Sequence, residues 1–70
     1  MARSELVAYN TGMHDYTQGF KNSPGRAQLL DPEFATFAPP EVYAALKRDP
    51  ERFGFFWQAG WDAAKKLNSL

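Results

Sequence analysis

Apolar positions recur at helical spacing along most of this chain, and no segment alternates convincingly at period two. Between Ser4 and about Phe20, the residues Leu6, Tyr9, Met13, Tyr16 and Phe20 follow one another at intervals of three and four. On a helix these positions form a seam roughly 80° wide. Ser4 is the expected N-cap, with Glu5 close to the positive end of the helix dipole. A helix over about 4–20 is therefore predicted.

Residues 21–39 lose that regularity and read as a connector. Ser23-Pro24 and Asp31-Pro32 each place a capping residue before proline, a pattern that opens a helical turn. A structureless connector of this length would be unusual in a compact domain. Short turns pinned by Leu29, Leu30, Phe34 and Phe37 are predicted instead. A short helix follows over about 40–48, with Val42, Tyr43 and Leu46 facing inward. Asp49-Pro50 is the sharpest boundary, because the residue before proline is pushed out of the α region. The same pair caps and starts a last helix over about 50–67. Its apolar stripe is Phe53, Phe56, Trp57, Gly60, Trp61, Ala64 and Leu67, and Asp62 and Lys66 form an i,i+4 pair on the other side.

The pattern predicts an all-α, small single domain spanning residues 1–70. Its long N- and C-terminal helices are expected to pack antiparallel, beside a short central helix and an ordered connector. Glycine sharpens this picture. A glycine costs about 1 kcal/mol in a helix interior relative to alanine, yet Gly60 lies between Trp57 and Trp61, and Gly12 and Gly19 share one edge of the first seam. Close helix–helix approach explains such placements. The predicted packing core is Tyr9, Gly12, Met13, Tyr16 and Gly19 from the first helix. Phe53, Trp57, Gly60, Trp61 and Ala64 complete it from the last.

Composition narrows the chemistry. With 70 residues and no cysteine, the chain has neither a disulfide framework nor a thiolate metal site to support a small core. Aromatic residues, 16% of the total, are the expected compensation, and homodimerisation would be another. The formal net charge of zero argues against binding dominated by nucleic-acid phosphates. The N-terminus lacks the apolar run of a signal peptide and no stretch approaches a membrane span, so a complete, cytoplasmic protein is expected.

Catalysis finds little support. His14 is the only histidine and points well away from the first seam, as a solvated surface residue would. The serines have no histidine neighbour in sequence, no phosphate-binding glycine loop is present, and no acid/base pair stands out. No cofactor and no metal are expected. Two features suit partner contact instead. Between Arg26 and Lys47 the only charges are Asp31, Glu33 and Glu41, interleaved with Phe34 and Phe37. Aromatic anchors with an acidic rim suit a basic protein surface. Phe55 projects roughly opposite the tryptophan stripe and is a further candidate contact.

Two motifs together carry a family resemblance. Trp57-x-x-Gly60-Trp61-x-x-Ala64, with Ala8-Tyr9-x-x-Gly12 followed by Gly19 and Pro24, resembles the signature of the ribosome modulation factor family. That family consists of small bacterial proteins of two helices and a connector, which bind the ribosome and promote its inactive, dimerised state when growth slows. The resemblance implies that the first and last helices pack through their glycines, and that the partner is a ribonucleoprotein. This chain differs from the family in being neutral rather than strongly basic. It has Ser23-Pro24 in place of Cys-Pro and a longer connector. The function expected is a non-enzymatic regulator that binds a larger assembly, first the ribosome. The alternative is a small phage or mobile-element protein that inhibits a host protein by direct contact.

Overall fold

A computed structural model describes residues 1–69 of the chain. The described residues are all-α. Five helices follow in order: α1 Arg3–Thr17, α2 Arg26–Leu29, α3 Pro32–Phe37, α4 Pro40–Arg48 and α5 Pro50–Asn68. The largest interface is between α1 and α5.

The direction of that pair corrects the antiparallel expectation. Glu5, in the first turn of α1, accepts hydrogen bonds from the Arg52 guanidinium at the start of α5. At the other end, Tyr16 and Phe20 meet Trp61. The two helices therefore run in the same sense. The return journey is made by α4, whose first turns flank the C-terminal half of α1 and whose last turn flanks Ser4 and Val7. The tight Asp49 turn then sends α5 back along α1.

The ends of α1 differ from the sequence reading at both caps. Ala2, not Ser4, is the N-cap, and the Glu5 carboxylate accepts from the Ala2 backbone N–H at 2.7 Å. This is the backward half of a capping box. The helix stops at Thr17 rather than near Phe20. Gly19 sits at φ 83°. Its N–H donates to the Tyr16 carbonyl and the Phe20 N–H donates to the Asp15 carbonyl, which is a Schellman closure. Gly19 is thus a helix terminator and not a packing glycine; a Cβ there would meet nothing within 4 Å.

The connector is ordered, by somewhat different means from those predicted. Asp31 does cap α3, accepting from the Glu33 N–H at 2.9 Å. Ser23-Pro24 opens no helix; α2 starts at Arg26 after Gly25, whose φ of 66° suits glycine. Phe34 is buried and Leu29 partly buried, whereas Leu30 and Phe37 are exposed and pin nothing. Asp49 caps α5 by accepting from the Arg52 N–H.

The core joins Ala8, Phe34, Val42, Leu46, Phe53 and Trp57, so each element except α2 supplies a buried apolar side chain. On α1 the buried positions are Ala8, Gly12 and Asp15. Tyr9, Met13 and Tyr16 are only half-buried on the flank, and Leu6 is exposed. The reason lies on α5. A Cβ at Gly12 would strike the Trp57 carbonyl carbon at 2.8 Å and the Trp61 nitrogen at 2.9 Å, and one at Gly60 would strike the Tyr9 carbonyl carbon at 2.8 Å. Backbone meets backbone in both directions, which leaves room only for small residues at the centre of the crossing. On α5, Leu67 falls outside the packed stripe and is exposed. Gly54, absent from the predicted stripe, is buried against Gly25, whose Cα and nitrogen would lie 2.8 Å from a Cβ there. Asp62 accepts from Gln58 Nε2 at 3.0 Å rather than pairing with Lys66.

Candidate functional site

The last turn of α1 brings a carboxylate into the interior. Asp15 follows Gly12 by three residues and continues its buried face, so its side chain enters beside α5. It is 7% exposed. Its Oδ2 accepts from the Trp57 indole N–H at 2.8 Å. A buried indole requires an acceptor, and Asp15 supplies it. Burial pushes the Asp15 carboxyl above its ordinary pKa, while the Trp57 hydrogen bond and the charge of His14 pull it down. The second indole is held similarly: Trp61 Nε1 donates to the Phe20 carbonyl at 3.1 Å. Trp61 stacks on Trp57 at 6.4 Å and takes Tyr16 edge-on at 5.1 Å.

Asp15 stands between two spaces. Toward the connector it lines a small cavity of about 20 Å³ with Gln28, Phe34 and Trp57, edged by Lys21, Ser23 and Asp31. Gln28 is buried there; its Oε1 accepts from the Gly25 N–H, and its Nε2 has no hydrogen-bond partner among the described residues. On the outer side it lines a surface groove of about 490 Å³ between α1 and the α3–α4 corner. Asn10, Thr11, His14 and Gln18 give this groove a polar wall, and Phe20, Phe34, Phe37, Ala38, Pro39 and Val42 an apolar one. Phe37 is 72% exposed at its lip. The groove forms because Asp31 caps α3, and Pro39 and Pro40 turn the chain into α4, so α3 and α4 meet at a corner that α1 only partly fills.

The predicted contact residues divide accordingly. Phe34 and Phe37 line the groove, while Glu33 and Glu41 are solvent-exposed and Asp31, partly exposed, is engaged as a cap. Phe55 lies apart, 70% exposed and edge-on to Phe56 at 5.2 Å, beside a shallow surface with Pro24, Gly25 and Gly54. The packing residues Gly12, Gly60, Trp57 and Trp61 come together at the crossing; Phe53 and Ala64 are buried on either side of it. Asp15 and Gln28 were not among the predicted site residues. The available signal was Trp57 itself, whose buried indole N–H calls for an acceptor on the facing helix.

His14 is exposed on the polar wall. Among the described residues, no group of three or more His, Cys, Asp or Glu side chains is arranged to hold a metal ion. No described helix is long and apolar enough to cross a membrane. Comparisons with protein-family models, curated proteins and solved structures find no match to this chain.

Proposed function

We propose that this chain is a non-enzymatic regulatory protein that docks onto a larger assembly through the groove between α1 and the α3–α4 corner. The observation that carries the reading is the groove itself. It presents exposed Phe37 and Pro39, with the edges of buried Phe34 and Val42 beneath them, beside a hydrogen-bonding wall, the mixture found at protein contact sites. By its resemblance to ribosome modulation factors, the ribosome is the first assembly to examine.

Charge favours contact with protein over contact with RNA. Arg52 is held by Glu5, and Arg26 lies 3.7 Å from Glu51. Lys47 lies over the Tyr43 ring and Lys65 over the Trp61 ring. These cations sit on three different helices, and no lysine or arginine lines the groove among the described residues. Phosphate recognition draws on gathered cations. The alternative, a phage or mobile-element inhibitor of a host protein, uses the same groove and differs only in the target.

Affinity capture from bacterial lysate, with and without nuclease, tests the reading. Ribosomal or other protein partners retained after nuclease are the expected result. Capture that disappears entirely with nuclease would replace protein docking by RNA binding.

A further inference from the structure

Asp15 is the one acid among the groove's lining residues, and neither lysine nor arginine is among them. Asp15 has the Trp57 indole as its hydrogen-bond partner among the described residues, which leaves a carboxylate with acceptor capacity to spare. Phe37, exposed on the apolar wall, offers an aromatic face that can receive a cation. The flanking segment from Asp31 to Glu41 carries the acids Asp31, Glu33 and Glu41, with no base before Lys47. With Asp15 in the groove and Asp31, Glu33 and Glu41 along its flank, the acids outnumber the nearby cations His14 and Lys21, an arrangement that suits a basic partner better than phosphate.

We propose that the groove receives a protein segment with a single arginine set among apolar residues, the guanidinium reaching the Asp15 carboxylate and the apolar neighbours covering Phe37 and Pro39. Arginine fits better than lysine here. Its planar group is more weakly hydrated than an ammonium, stacks on aromatic rings and donates to a carboxylate in a fixed fork. The assignment rests on the docking function proposed above and names the chemistry of its partner.

The Trp57 indole N–H reports directly on Asp15, so its NMR resonance is the natural readout. The probes are short amphipathic leucine–alanine peptides with arginine, citrulline or glutamate at the centre; citrulline keeps the shape of arginine without its charge. The arginine peptide is expected to shift the Trp57 indole resonance saturably and to bind about tenfold tighter than the citrulline peptide, a difference that one charge-assisted hydrogen bond can supply. The glutamate peptide should bind weakest. Asp15→Asn keeps an oxygen for the indole and should erase the arginine preference. Phe37→Ala, at an exposed position, should weaken the arginine peptide without lowering the melting temperature. Equal affinity for arginine and citrulline, no binding by any peptide, or an arginine preference that survives in Asp15→Asn would overturn the assignment. Lysate capture that persists through nuclease while the peptides fail leaves protein docking in place and removes only the arginine.

Discussion

Gly12 and Gly60 face peptide carbonyls on opposite helices, so a methyl group at either would have to move backbone, not a flexible side chain. Overpacking of this kind costs about 1–3 kcal/mol. Gly12→Ala and Gly60→Ala should each lower the stability measured by chemical denaturation by at least that amount, despite the higher helix propensity of alanine. An unchanged or raised midpoint would mean that the helices do not approach this closely. Asp15 and Glu5 make contributions of opposite sign to the pH dependence. Burial raises the Asp15 pKa in the folded state, so its contribution is most favourable below the unfolded pKa and is lost as pH rises through the folded value. For Glu5, the Ala2 N–H and the Arg52 guanidinium lower the pKa, so its contribution is present above the unfolded value and is lost as pH falls through the folded one. Melting curves taken from neutral pH down through the carboxylate range should therefore separate the variants. Wild type should gain on Asp15→Asn as pH falls and lose its lead over Glu5→Gln. Parallel curves for either variant would remove that residue from the account.

Among elements, α1 and α5 reveal what the sequence could and could not supply. The 3.6-residue periodicity, the Asp31-Pro32 and Asp49-Pro50 caps and the tryptophan–glycine stripe were legible, because each is a local signal. The buried face of α1 was not. A hydrophobic seam marks where large side chains can rest, and here they rest on the flanks, while Ala8, Gly12 and Asp15 occupy the line of closest approach. Nor could a local pattern give the direction of α5, which depends on how many times the chain turns back before reaching it. Gly19 makes the same point at a helix end: its spacing from Gly12 suggested packing, but its left-handed backbone ends the helix. Because space around it is open, a D-alanine at position 19, introduced by chemical synthesis, should match or exceed the native stability. L-alanine should cost about 1 kcal/mol. Equal stability of the two forms would contradict the terminator role. The candidate site was half legible for a related reason. Phe34 and Phe37 stood out by type, whereas Asp15 and Gln28 gain their meaning only from burial beside a distant helix.

For the whole molecule, the arrangement leaves one face finished and another unfinished. The α1–α5 crossing is closed, backbone against backbone with both indoles satisfied. The α3–α4 corner leaves a groove with an exposed phenylalanine at its lip and a carboxylate at its floor. Phe37 and Phe55 are almost equally exposed, 72% and 70%, so a charge at either should be tolerated by the fold. This makes them a matched pair. The decisive measurement is quantitative capture from nuclease-treated bacterial lysate by wild type, Phe37→Asp and Phe55→Asp, each first shown to have the wild-type melting temperature. Loss of the retained partners with Phe37→Asp, and their retention with Phe55→Asp, is the result predicted for docking through the groove. Undiminished capture by Phe37→Asp would contradict it.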